Sequence, residues 1–242
     1  MLDLPKEVLT VKNNCKGLIG SGMQFDVYES DNDRVLKIPK SFDATVVTFL
    51  EKENESTIET AKSASRYYCD TRTLCLKFIS KGHVDYLFAN PLQDDETLTQ
   101  DKVIPFSDYL FSKRSYIPDN ELRDLCLKAV KINFNLWSFG VGENTFGMDK
   151  YGINRLGDLT LYDPFEMTDC KDDLKYLILN KWWLQCNRFY SQEILQIINE
   201  IFTKHLTIEA LMKHFNENAV GLHSNETRIQ PIKNFISGKT LQ

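Results

Sequence analysis

Three places in this 242-residue chain combine residue types and spacings that suit phosphate chemistry. The first is Gly20-Ser21-Gly22-Met23-Gln24-Phe25-Asp26-Val27. Glycines in such a loop let backbone amides approach a phosphate chain with no Cβ in the way. The second is Lys37 in Arg34-Val35-Leu36-Lys37-Ile38, where a strand lysine can reach back beneath that loop. The third is Asp163, which leaves the apolar stretch Leu159-Thr160-Leu161-Tyr162 and precedes Pro164 and Phe165. A carboxylate at a strand end is the hard oxygen ligand that magnesium prefers. Taken singly, each has a plainer reading: a β-turn, a solvated strand lysine, an aspartate capping a turn. The order of loop, strand, turn, strand and lysine favours the phosphate reading. A Walker loop would carry its lysine inside the loop, and this one does not.

These residues need elements to position them. Residues 16 to 40 alternate short apolar stretches with turn residues and predict three short antiparallel strands. Asp43 to Arg66 has few breakers and predicts a helix, and Leu74–Ile79 and Val84–Ala89 predict a further β pair closing near Asn90 and Pro91. Beyond residue 115, Pro118-Asp119 offers a helix start and Leu122, Leu125, Ala129, Ile132 and Leu136 recur at helical spacing. A hairpin is predicted to join Tyr151-Gly152-Ile153 through Asn154–Asp158 to Leu159-Thr160-Leu161-Tyr162. Helices are predicted over Leu174–Cys186 and Ser191–His205. Trp182 and Trp183 read as core of the second part in preference to a partner surface.

Together the three motifs resemble the protein-kinase superfamily, in particular the short serine/threonine kinases encoded by bacteriophages. The match runs from about residue 16 to residue 166. In those enzymes, too, the metal aspartate is followed by proline. Phe25 stands here where the usual loop has a third glycine. The resemblance implies that Gly20, Ser21, Gly22, Phe25, Val27 and Lys37 hold ATP, that Asp163 binds Mg2+, and that a helix glutamate orients Lys37. Glu51, Glu53, Glu55 and Glu59 are available for that last role, with Glu55 favoured and Glu59 next.

The catalytic loop departs from the family, since no His-Arg-Asp occurs. Three registers stay open. In the first, Asp149 and Asn154 reproduce the D-x-x-x-x-N spacing, with Asp149 as base and Asn154 as metal ligand. In the second, counting back from Asp163 through a hairpin of ordinary length puts Thr145 and Lys150 at those two positions, and nothing serves as base. In the third, Asn144 is the metal ligand and Glu143 or Asp149 supplies the carboxylate.

Composition narrows the rest. A net charge of −5 gives no general attraction to nucleic acid, and no run of about 18 apolar residues occurs, so neither nucleic acid nor membrane is an expected partner. The six cysteines (Cys15, Cys69, Cys75, Cys126, Cys170, Cys186) form no C-x-x-C pair and suit free thiols in a reducing cytoplasm. The expectation is an α+β chain of two-lobed, kinase-like fold. Residues 1–91 would form a sheet-rich first lobe, and residues 92–242 a reduced helical lobe. The expected activity is ATP- and Mg2+-dependent phosphorylation of serine or threonine in a protein substrate, in the cytoplasm or that of a host. A pseudokinase that binds without transfer and a small-molecule phosphotransferase are the alternatives.

Overall fold

The computed structural model describes residues 17–53, 56–81, 87–95, 97–113 and 117–219. The first part of the chain builds a five-stranded antiparallel sheet in the order β1-β2-β3-β5-β4. Its strands are β1 (Gly17–Ser21), β2 (Phe25–Glu29), β3 (Arg34–Pro39), β4 (Leu92–Asp94) and β5 (Thr97–Asp101). The three predicted strands between residues 16 and 40 are therefore present. Asn32 and Asp33 make the β2–β3 turn with positive φ of 61° and 59°, a conformation that Asn and Asp tolerate better than most residues.

Two helices pack beside the sheet, α1 (Phe42–Lys52) and α2 (Ile58–Ile79). The single helix predicted over Asp43–Arg66 is thus divided, because Thr57 caps a new helix by accepting a hydrogen bond from Thr60 N. Leu74–Ile79 is the end of α2 and not a strand. Leu74, Cys75, Leu76, Phe78 and Ile79 are all buried there, so the segment is apolar on nearly every side and loses helical periodicity in the sequence. Of the predicted strand Val84–Ala89, residues 84–86 lie outside the described residues, and residues 87–89 run as a turn. The sheet is completed by β4 and β5, so it takes in residues 92–101.

After Asp101 the chain crosses to a mainly helical part through β6 (Ile104–Pro105) and α3 (Phe106–Ser112). Helix α4 (Asp119–Ser138) starts after Pro118 and buries Leu122, Leu125, Ala129, Ile132 and Leu136, the predicted stripe. It is followed by Gly140 at φ 73°, the left-handed backbone that commonly ends helices. Strand β7 (Gly142–Glu143) and a 3-10 turn (Met148–Lys150) lead into the hairpin β8 (Tyr151–Ile153) and β9 (Leu159–Leu161). Strand β10 (Met167–Thr168) pairs back on β7. Four helices close the described chain: α5 (Lys171–Leu179), α6 (Trp183–Cys186), α7 (Gln192–His205) and α8 (Ile208–His214). The predicted helix over Leu174–Cys186 is interrupted where Lys181 takes φ 46°.

Trp183 is buried edge-on against Phe146 and Phe202, and its indole N–H donates to Asn199 Oδ1 at 3.2 Å, so it belongs to the core. The described cysteines Cys69, Cys75, Cys126, Cys170 and Cys186 are free thiols. No described helix is long and apolar enough to cross a membrane.

Candidate functional site

A cleft of about 580 Å³ lies between the sheet and the helical part. Gly20 of β1, Gly22 of the β1–β2 turn and Val27 of β2 roof it, and Lys150, Tyr162, Asp163 and Glu166 form its floor. Lys37 projects into it from β3, which pairs with β2 on one side and β5 on the other, Lys37 facing Val27 and Leu98. A central strand fixes its backbone on both flanks. The Lys37 ammonium donates to Tyr162 O at 2.6 Å, stands 3.9 Å from Asp163 Oδ1 and lies 4.9 Å from the Phe165 ring centroid. Burial lowers its pKa, with Asp163 pulling the other way.

Asp163 faces a second ammonium on its other oxygen. Lys150 Nζ is 3.5 Å from Asp163 Oδ2 and 2.8 Å from Glu166 Oε2. Burial works against this ammonium, but Glu166, Asp163 and Asp149 outweigh it and hold Lys150 well above the usual lysine pKa. For Asp163, burial acts to raise the pKa, and Lys150 and Lys37 together bring it below the usual carboxylate value. The hairpin makes this meeting rigid, since Lys150 O accepts from both Tyr162 N (3.0 Å) and Asp163 N (3.2 Å).

The loop residues divide in their roles. Gly20, Gly22, Phe25 and Val27 line the cleft. Ser21 does not line it: its hydroxyl donates to Asp26 Oδ1 and accepts from Lys40 Nζ, both at 2.8 Å, pinning the loop to the sheet. Phe25, in the place of the third glycine, packs on Phe165 with ring centroids 4.1 Å apart and the rings tilted by 36°. Gln24 donates to Phe165 O at 3.2 Å, so two successive loop residues tie the roof to the segment after Asp163.

No helix glutamate meets Lys37 among the described residues. Glu55, the favoured candidate, lies outside them, and Glu59 is exposed in the first turn of α2. The α2 residue that lines the cleft is Tyr68, while its neighbour Tyr67 accepts a hydrogen bond from Asn144 Nδ2 at 3.0 Å.

The three catalytic-loop registers also separate. Asn154 builds the hairpin turn, its Oδ1 accepting from Leu156 N and Asp158 N at 2.9 Å each, and it lies outside the cleft. Asn144 is buried, bonded to Tyr67 through its amide nitrogen, and its Oδ1 has no partner. Asp149 sits in the 3-10 turn beside the floor without lining the cleft, and burial raises its pKa. Glu143 is buried, with one oxygen held by Thr145 N and the Thr145 hydroxyl; burial pushes its pKa up to about 8. What the structure brings to Asp163 is Lys150, the residue of the second register, directly before β8.

The donor set does not suit magnesium as it stands. Magnesium asks for several oxygen ligands at short range. Asp163 offers two oxygens, yet each faces an ammonium, and Lys150 occupies the space between Asp163 and Glu166. No group of three metal-ligating histidine, cysteine, aspartate or glutamate side chains converges among the described residues.

Sequence reasoning located Lys37 and Asp163 in the cleft but passed over Glu166, Tyr68, Gln100 and Asp108, which line it too. Glu166 carried a usable signal, because it follows Asp163 by three positions on the same segment. Comparison of the sequence with family models and with curated proteins gives no match. Among solved structures, the complex of Rv3197 with erythromycin from Mycobacterium tuberculosis is 10% identical, over 84% of this chain and 61% of that one, at a TM-score of 0.43. WbdD, in a high-resolution crystal structure, is 11% identical over 94% of this chain and 51% of that one, at a TM-score of 0.43. A second structure, titled as the bifunctional kinase-methyltransferase WbdD, is 13% identical over 92% and 49%, at a TM-score of 0.40. This chain spans about half to three-fifths of the length of these proteins. A likeness of this size says nothing of what the chain acts on. The architecture itself, an N-terminal antiparallel sheet followed by a helical part, is α+β and consistent with a small kinase-like fold.

Proposed function

We propose that the cleft binds ATP, with its phosphates under the Gly20–Gly22 turn, and that the chain transfers the γ-phosphoryl group to serine or threonine hydroxyls of a protein. The observation that carries the phosphate site is the convergence of Lys37 and Lys150 on Asp163 beneath the glycine turn. Phosphoryl transfer depends mostly on positioning and on charge stabilisation, and Lys37 and Lys150 are cationic groups that line the cleft beside Asp163. Gln100 and Asp101 of β5 also line the cleft, and the adenine is assigned to that side of it. In the transfer, the acceptor oxygen attacks the γ-phosphorus, the bond to the β–γ bridging oxygen breaks and ADP leaves. The hydroxyl proton passes to a carboxylate, for which Asp149, with its pKa raised by burial, is the assigned group. Serine/threonine specificity and a phage or effector setting are taken from the sequence resemblance.

A second reading is binding without transfer, and one observation favours it. Lys150 stands where the kinase pattern has its metal-binding asparagine, and Asp149 does not line the cleft. One experiment separates the two. The protein is incubated with γ-labelled ATP and a cell lysate, with and without divalent cations, beside Lys37→Ala and Asp163→Asn. Label on protein that disappears in both variants is the expected result. ATP-dependent thermal stabilisation without label would leave the binding reading in place, and absence of both would overturn the nucleotide site.

A further inference from the structure

We propose that Lys150 takes the place of a divalent cation, so that the cleft binds a nucleoside triphosphate without metal, its phosphates held by the Lys37 and Lys150 ammonium groups. The inference rests on the nucleotide reading above and specifies how that site holds the phosphates.

Asp163 and Glu166 are two carboxylates on one short segment of the cleft floor. A cation between them is what such a pair would recruit, and one is already there on a covalent tether: Lys150 Nζ reaches Glu166 Oε2 at 2.8 Å and Asp163 Oδ2 at 3.5 Å. A metal ion bridging the two would have to expel that ammonium. Expulsion has little help from the backbone, because Lys150 O is bonded to the amides of Tyr162 and Asp163 at 3.0 and 3.2 Å.

The donors left over face a ligand. An ammonium has three N–H groups. Lys150 directs two at Glu166 and Asp163, and Lys37 directs one at Tyr162 O, 2.6 Å away. Both lysines line the cleft, and the donors for which these contacts account for no partner among the described residues are assigned to phosphate oxygens. The two positive charges offset Asp163 and Glu166, so an incoming polyphosphate meets a cluster of no net charge in place of two bare carboxylates, and hydrogen bonds from the ammonium groups hold it there.

The test is a calorimetric titration of the full chain with ATP, once in excess Mg2+ and once in EDTA, repeated with Lys150→Gln and Lys150→Arg. For the wild type, the dissociation constants with and without metal are expected to agree within about threefold, well short of the tenfold change that about 1.4 kcal/mol would produce. Lys150→Gln is expected to lose at least about tenfold in EDTA and to regain binding with Mg2+, since the carboxylate pair is then open to the ion, while Lys150→Arg keeps metal-free binding. Binding by the wild type in Mg2+ but not in EDTA would overturn the proposal and leave the nucleotide site standing. No binding in either buffer would overturn both. The wild-type pair of titrations decides this even where Lys150→Gln fails to fold.

Discussion

Glu143 shows how burial sets the behaviour of a single side chain beside the cleft. One of its oxygens is held by Thr145, the other has no partner among the described residues, and burial raises its pKa to about 8. A carboxyl whose pKa is raised on folding binds its proton more tightly in the native state. The resulting stability is therefore fully present below the ordinary carboxylate pKa and is lost as pH rises through about 8. Between those limits the native state should lose up to about 1.4 kcal/mol per pH unit from this group. Glu143→Gln keeps an oxygen for the Thr145 hydrogen bonds and cannot ionise. Its unfolding free energy should vary less between pH 5 and 8, roughly the window set by these pKa values, and should exceed that of the wild type at pH 8. Equal pH slopes for the two proteins in urea unfolding would contradict this. The sequence could suggest Glu143 as a carboxylate near the site, but only the packing around it shows that it is buried and half-satisfied. Lys37 and Asp163 were legible because each stands at a defined place relative to a strand, Lys37 within β3 and Asp163 two residues past the end of β9. Lys150 was reached by counting back through the hairpin, yet a lysine at a metal-ligand position reads as a defect until Glu166 is seen beside it.

At the scale of elements, the segment that delivers Asp149 and Lys150 depends on one buried amide. Asn187 accepts from Met148 N at 2.7 Å and donates to Phe146 O at 3.1 Å and Trp183 O at 2.8 Å. It thereby fastens the 3-10 turn to α6. Asn187→Ala leaves Met148 N and Phe146 O short of a partner, while Trp183 O keeps the bond from Asn187 N, and should cost about 1–3 kcal/mol. Because the same turn sets Lys150, ATP affinity should fall as well, although Asn187 does not line the cleft. A variant with an unchanged denaturation midpoint would show that water replaces the amide without loss. Elements with one solvent-facing side were readable from the sequence: β1 to β3 from alternation and turns, α4 from its apolar stripe. The end of α2 was not, because a helix buried on all sides and a buried strand present the same apolar run. Strands β4 and β5 were hidden for another reason. β5 buries Leu98 and Gln100 between half-exposed neighbours, so its inward face mixes apolar with polar and the alternation is weak.

Over the whole molecule, the sheet and the helical part are joined by more than the crossing near Asp101. Phe25 of β2 packs on Phe165, Gln24 bonds Phe165 O, and Lys37 bonds Tyr162 O. Behind the cleft, Leu161 N donates to Leu87 O at 2.9 Å and Ala89 N to Thr160 Oγ1 at 2.9 Å. The apolar core is continuous across this seam, with Phe25 and Leu98 of the sheet in one cluster with Leu136, Met148 and Trp183. Both parts should therefore unfold together, although the sequence reads as two lobes. The chain supplies separate reporters, since its three tryptophans, Trp137, Trp182 and Trp183, all lie in the helical part. Tryptophan fluorescence and amide hydrogen exchange of β2, β3 and β5 should give one denaturant midpoint. In the proposed binding mode ATP lies across the seam and should shift both by the same amount, about 2.7 kcal/mol at a hundred times its dissociation constant. Loss of sheet protection while the fluorescence remains native would show instead that the seam is weaker than either part, and that the cleft opens by unfolding its roof.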